Sequence, residues 1–465
     1  MQSNKYLLNR LHALILSVIF ILALCVRVYP IVNDPENHRA GFGIFGDSFL
    51  YHKIGYNLYK GRGFSGKDDG EAFGQKEPGG TALVYTPELV RPPLYPLFIA
   101  GVYRFFGNKE AMLHPDRWRV NLDRVRLAQC VIDSLTCLVV FFIVYEISEG
   151  ACFASLLGAL IYSVSPYNIF YTRALLSETL AVFFVTSTIW FWIRAIKSPT
   201  TAAWLFTGAL LGLAVLTRPE HIFFILVICA LSAVFNLKDP LMCFKRGALV
   251  LLGFLLISAP WISRNYRLFH RPVVASSSLG FNLFQGTYES NANWSGWGQF
   301  PKEAFESEDE KNKILDFYER YDQAMTEGDP DIQIVDKDFT KIAVKRIQEN
   351  PLKMIKLWIE KIPRLWYQKY IPMYAYRESS GIYLLFYLAF AVFGFLTSSL
   401  QQKRAQLPIA CLFIYLTIIY LPLHIEPRYC VAAIPGIIAL SAVGISNFKM
   451  VLERYRLPMG QVKLR

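Results

Sequence analysis

Charge is scarce in this chain: of 465 residues only 18% are Asp, Glu, Lys or Arg, against 54% hydrophobic and 15% aromatic. So little charge excludes an ordinary soluble multidomain protein and points to a polytopic membrane protein. Several signatures are missing as well. There is no Walker loop, no dinucleotide fingerprint, no GxSxG elbow and no HExxH, so the usual soluble-nucleotide and hydrolase chemistries have no foothold. The eight cysteines, Cys25, Cys130, Cys137, Cys152, Cys229, Cys243, Cys411 and Cys430, all fall within or beside apolar runs. None lies in a long polar loop, which leaves no disulfide framework and no zinc spacing and makes them small core hydrophobes. No internal repeat is visible either.

What is abundant is long apolar sequence. Stretches able to cross a hydrocarbon layer of roughly 30 Å fall near residues 11–32, 126–146, 151–166, 178–196, 202–217, 219–236, 247–262, 382–398, 407–422 and 430–447. The expected fold is therefore an all-α polytopic bundle of about ten transmembrane helices. The first run lacks a small-residue cleavage site and reads as a retained anchor. With the amino terminus inside, the short inner loops carry Lys5 and Arg10, Arg194 and Lys197, Lys238, Lys245 and Arg246, Lys403 and Arg404, and a basic tail. That satisfies the positive-inside rule. The net charge of +12 is then mostly a topology signal, with anionic membrane lipid rather than nucleic acid as its partner.

This topology puts residues of about 33–125, 167–178 and 263–381 outside. In the first region FGDSFLYHKIGYNLYKGRGFS, Phe45–Ser65, reads as a helix from Asp47 to Tyr59 that ends at Gly61-Arg62-Gly63, where glycine can take the left-handed turn that closes a helix. RPPLYPLFIAGVYRFFG, Arg91–Gly107, reads as a second helix resting at the outer face, because counting it as a span would invert every later loop. The segment around 167–178 reads as a turn. In the third region a charged helix around Ile314 precedes an amphipathic, Trp-bearing stretch with Trp358, Trp366 and Tyr367 at headgroup level. The acidic cluster Asp329, Asp331, Asp336 and Asp338 lacks the glycine and glutamate of a calcium loop and reads as a loop and helix start. Asn293-Trp294-Ser295 is a glycosylation sequon whose meaning depends on the compartment.

The informative residues are those at the outer ends of the spans. They are Asp47 and Arg91; Arg173 and Glu178; Arg218, Glu220 and His221; Arg264, Asn265 and Arg267; and His424, Glu426, Arg428 and Tyr429. Ionisable groups near lipid are costly and mark sites or pathways. Each also has a plain structural reading: Asp47 as a helix cap, Glu178 answering a helix dipole, the arginines snorkelling, the histidines hydrogen-bonded at an interface. Together they suit one chemistry. Carboxylates deprotonate a hydroxyl while arginines neutralise a phosphate leaving group in the headgroup plane.

In that order, FGDSFLYHKIGYNLYKGRGFS, RPPLYPLFIAGVYRFFG, SPYNIFYTRALLSETL, LTRPEH, PWISRNY and EPRY resemble the GT-C glycosyltransferases. The resemblance covers about residues 10–446 and is nearest to the protein O-mannosyltransferases and the aminoarabinose transferase of lipid A. It implies a GT-C bundle with membrane-parallel helices in the first outer loop and a small helical outer region. Its divisions would be 1–262 (transmembrane module with the catalytic loop 33–125), 263–381 (extracytoplasmic helices) and 382–465 (last spans and basic tail). It also implies a multi-pass protein of a bacterial-type plasma membrane, transferring a sugar from a polyprenyl-phosphate donor to an extracytoplasmic acceptor with inversion. Asp47 matches the first-loop acidic residue that acts as base. Glu178 matches the second acidic position, where many relatives have Asp. Arg91, Arg218, Glu220, His221, Arg264, His424, Glu426, Arg428 and Tyr429 are the substrate-binding candidates. No cofactor is assigned and a divalent metal is left open. A transporter or flippase of lipid-linked sugars is the alternative, opposed by the missing repeat and by polar residues gathered at one face rather than at mid-depth.

Overall fold

The computed structural model describes residues 2–33, 46–67, 71–73, 85–107, 119–235, 239–274, 278–288, 308–327, 332–366 and 379–456. The sequon, Tyr367, Lys238, Asp329, Asp331 and the end of the basic tail lie outside the described residues. Within them the chain is all-helical. α1 (Gln2–Asn33) is followed by α2 (Asp47–Tyr59), α3 (Leu94–Phe106), α4 (Arg119–Ile147), α5 (Cys152–Ser163), α6 (Pro166–Arg173), α7 (Glu178–Lys197), α8 (Thr201–Thr217) and α9 (Phe224–Val234). Then come α10 (Pro240–Phe269), α11 (Leu279–Tyr288), α12 (Glu308–Glu327), α13 (Ile332–Glu349), α14 (Pro351–Trp366), α15 (Ser379–Thr397), α16 (Leu400–Tyr420) and α17 (Ile434–Arg456).

The expected spans fall largely on helices. Among the described residues, five are long and apolar enough to cross a membrane: Arg10–Asn33, Asn121–Ile147, Glu178–Lys197, Pro240–Phe269 and Arg428–Leu452. The bent pair α5 and α6, with 45° between its halves, makes a sixth. Others, such as α8 and α9, are apolar but shorter. The chain is an integral, multi-pass membrane protein. One expectation changes here: the supposed turn near 167–178 contains α6. Pro166 at its first position suits a helix start, so the chain bends and resumes instead of looping out.

Since lipid is as apolar as the side chains, helices in a bundle associate through close packing and buried polar contacts. Both occur. α8 and α10 touch backbone to backbone, where a Cβ on Gly208 would sit 1.9 Å from the Val250 carbonyl oxygen and one on Gly253 2.1 Å from that of Leu205. Arg27 of α1, fully buried, pairs through Nε with Asp133 of α4. Its Nη1 donates to the Ser163 carbonyl at 2.7 Å, and Tyr162 donates to Asp133 at 2.6 Å. This pair joins α1, α4 and α5, and no pattern in the sequence announced it.

α2 and α3 form a second core with the start of α4. Tyr51 meets Tyr95 edge-on at 5.0 Å, and Gly55 lies against Ile99, where a Cβ would approach to 2.6 Å. α2 closes as expected. Gly61 has φ +75°, its N–H bonds Leu58, and the Arg62 N–H reaches back to Asn57 at 2.9 Å, a Schellman arrangement. α11, α12 and α13 form a third core through Phe281, Phe284, Tyr321 and Phe339. α10 continues past residue 262 to Phe269, carrying Arg264 into this outer region.

Candidate active site

At the end of the bundle where α2, α7, α8 and the lead-in to α17 converge lies a cavity of about 410 Å³. Asp47 and Glu178 are the first residues of α2 and α7. Arg218 follows α8 directly, with Glu220 in the 3₁₀ turn Pro219–His221. Arg428 and Tyr429 sit in the 3₁₀ turn Pro427–Ala433. Prolines open both turns, holding the residues beside them at the ends of helices rather than inside them.

The charged groups are laced together. Arg91 Nη2 lies 2.7 Å from Asp47 Oδ1, and Arg428 Nη2 lies 2.8 Å from Asp47 Oδ2. Arg428 also reaches Glu426 at 2.6 Å and approaches Glu178 at 3.7 Å. Arg218 joins Glu178 at 2.7 Å and pairs with Glu220. His424 Nε2 is 3.3 Å from Glu426. Tyr429 lies beneath both guanidinium groups, 5.4 Å from that of Arg218 and 5.7 Å from that of Arg428, and stacks on Tyr420 at 4.8 Å.

Asp47 is no helix cap. The cap position is Gly46 and carries no side-chain bond, while both carboxylate oxygens go to arginines. Burial alone would raise its pKa, but Arg91 and then Arg428 outweigh burial and hold it well below the usual carboxylate range. Glu426 is likewise held down to about 2, with Arg428 overcoming burial. Glu178 is 2% exposed, and its Oε2 has no hydrogen-bond partner.

Asp47, Arg91, Arg218, Glu220, His424, Arg428 and Tyr429 line the cavity. Glu178 and Glu426 stand behind it through their ion pairs. His221 and Arg264 are not brought to it. His221 is 1% exposed, with neither ring nitrogen hydrogen-bonded. Arg264 bonds the Glu88 carbonyl at 3.0 Å and Asn265 at 2.8 Å, its guanidinium 4.6 Å from the Trp261 ring. Two residues near or in this region gave no sequence signal. Glu88, 4% exposed, is pushed up to about 7 by burial despite Arg91. Gln285 lines the cavity from α11. Among the described residues no group of three or more His, Cys, Asp or Glu side chains is arranged to hold a metal ion.

The helical bundle has the GT-C fold. Residues 90–263 match the family model described as dolichyl-phosphate-mannose-protein mannosyltransferase. No curated protein sequence matches the chain. Among solved structures, it resembles the archaeal oligosaccharyltransferase AglB from Archaeoglobus fulgidus in complex with an inhibitory peptide and a dolichol-phosphate. There the TM-score is 0.50 and the identity 13%, over 98% of this chain and 52% of that one. This chain thus spans about half the length of that protein. ArnT from Cupriavidus metallidurans bound to undecaprenyl phosphate aligns at TM-score 0.38 and 14% identity, over 98% of this chain and 80% of that one.

Proposed function

We propose that the protein transfers a sugar from a polyprenyl-phosphate carrier to a hydroxyl-bearing acceptor at the extracytoplasmic face of a bacterial-type plasma membrane, with inversion. The observation that carries this reading is the network that ties Arg91, Arg218 and Arg428 to Asp47 and Glu220 in one cavity, backed by Glu178 and Glu426, at one end of the helices. Forked guanidinium donors suit a phosphate monoester, and a desolvated site strengthens their hold on developing charge. The basic residues of the short loops support a cytoplasmic location for the opposite end. The matched family's description and the relative solved with a dolichol-phosphate support the same donor class.

In this reading the donor phosphate draws Arg428, with Arg91 or Arg218, away from its carboxylates. Asp47 then loses the cations that depress its pKa and gains a negative neighbour, so it becomes a better base at the moment the donor is seated. It takes the proton of the acceptor hydroxyl, the acceptor oxygen bonds to the anomeric carbon, and the bond from that carbon to the phosphate oxygen breaks. Its electron pair leaves with polyprenyl phosphate, held by the arginines. Glu178 orients Arg218 and Arg428.

The test is turnover by purified protein in detergent with a panel of polyprenyl-phosphate sugars and an acceptor extract. An enzyme consumes one donor without a sealed compartment. A protein that moves the lipid only across sealed vesicles, and leaves the donor chemically intact in detergent, is a flippase and ends this reading.

A further inference from the structure

The arginine wall accounts for a phosphate but not for the sugar attached to it. Besides the arginines, Ser278, Phe281, Asn282 and Gln285, which recur at helical spacing along and just before α11, line the cavity together with Tyr321 of α12. Gln285 is the anomaly. It is 1% exposed, yet its Nε2 finds no hydrogen-bond partner, and a buried donor left unpaired is costly enough to need a reason. The aromatic pair beside it is stacked, with the Phe281 and Tyr321 rings 4.3 Å apart and 15° from parallel.

α11 is fixed at both ends. The Asp336 carboxylate accepts the Gly280 N–H at 3.0 Å and the Phe281 N–H at 2.8 Å, supplying the helix start from α13. At the far end Lys361 Nζ, itself buried, donates to the Gly286 carbonyl at 2.7 Å and to that of Leu423 at 3.0 Å. A Cβ on Gly286 would stand 2.2 Å from the Pro422 carbonyl, and the His424 N–H bonds the Asn282 carbonyl at 2.9 Å. The segment that carries His424 and leads to Arg428 is thus braced directly on α11.

We propose that Gln285 is a specificity-determining residue: its amide donates to a ring hydroxyl of the sugar on the lipid phosphate, with Asn282 and the Phe281–Tyr321 pair completing a carbohydrate subsite. A pyranose presents both features that these residues provide for, hydroxyls for an amide and C–H faces for aromatic carbon. A sugar esterified to a phosphate held by the arginines would lie in the same cavity, and about 410 Å³ falls within the ordinary range for small-ligand sites. This inference rests on the lipid-phosphate donor reading above.

Gln285→Met keeps length and volume but removes the donor. Binding to the purified full-length protein in detergent is measured with three short-chain probes: a polyprenol, its phosphate, and its phosphate carrying whichever of mannose, glucose, galactose or N-acetylglucosamine the wild type binds best. The expected result is that Gln285→Met binds the sugar-free phosphate as wild type does, but the sugar-loaded probe about tenfold to a hundredfold more weakly, as the loss of one or two good hydrogen bonds requires. Its thermal midpoint should hold or rise, because an unpaired buried amide has gone; a packing role for the amide would lower it. Equal affinity of wild type and variant for the sugar-loaded probe overturns the subsite and leaves the donor reading intact. So does a parallel loss for both phosphate probes. A wild type that binds polyprenyl phosphate no better than polyprenol overturns both.

Discussion

Asp47→Asn separates two roles that the geometry assigns to one carboxylate. Asparagine keeps the shape of Asp47 and one acceptor oxygen but loses the charge that holds Arg91 at 2.7 Å and Arg428 at 2.8 Å. If Asp47 is the base, kcat falls by about 10²- to 10⁴-fold. The same substitution frees arginines for phosphate. At about 8 Å and an effective dielectric of about 20, a unit negative charge opposes a phosphate by about 2 kcal/mol, so its removal tightens donor binding roughly thirtyfold. The expected signature is therefore kcat and KM for the donor falling together, with the protein still folded because Arg428 keeps Glu426 and Glu178.

The pH profile supplies a second reading of the same residue. In the free protein the two arginines hold Asp47 ionised well below the usual carboxylate range, so kcat/KM should show no acid limb from it near pH 4. A phosphate that takes those arginines raises the pKa, so the acid limb of kcat should lie at higher pH than any limb of kcat/KM. Steady-state transfer measured from pH 4 to 8 with wild type and Asp47→Asn checks both statements. An Asn variant whose kcat stays within tenfold of wild type while its KM drops would refute the base and leave Asp47 as a mere holder of arginines.

Arg218→Lys should lower kcat/KM about a hundredfold without unfolding the protein, because an ammonium cannot span Glu178 and Glu220 as the fork does; donor titration of the variant measures this. Arg27→Met should cost about 3–5 kcal/mol by leaving Asp133 buried and unpaired, and adding Asp133→Leu should restore most of it. Thermal inactivation in detergent compares the single and double variants. At Asp336, burial raises the folded pKa to about 6 from an ordinary 3.8. The folded state then binds a proton that the unfolded state has released, so this contribution to stability is full below about pH 4 and lost as pH rises through about 6. Over that interval the thermal midpoint of wild type should fall relative to that of Asp336→Asn, which has no proton to lose there, measured by scanning fluorimetry.

What the sequence could show of this site follows from the physics of span ends. Asp47, Glu178, Arg218, Glu220, His424, Glu426 and Arg428 stood out because an ionisable residue beside a long apolar run is costly, and that rule fixes depth in the membrane. It says nothing about direction around the helix axis. His221 and Arg264 carry the same depth signal, yet packing sends one into a dry core and the other to the Glu88 carbonyl and the Trp261 ring. Asp47 looked like a cap for the same reason: its place at the start of α2 is local information, while its arginines come from distant segments. Arg27 and Asp133 escaped notice because each is a single polar residue within an apolar run and they lie 106 positions apart, so only their meeting gives either a meaning. Gln285 is subtler. A neutral amide in LGFNLFQGTY has no charge to betray it, and it becomes conspicuous only when the fold buries it without a partner. Charge at a membrane face is thus legible along the chain, whereas recognition by neutral groups becomes legible only through the polar atom that folding leaves unsatisfied.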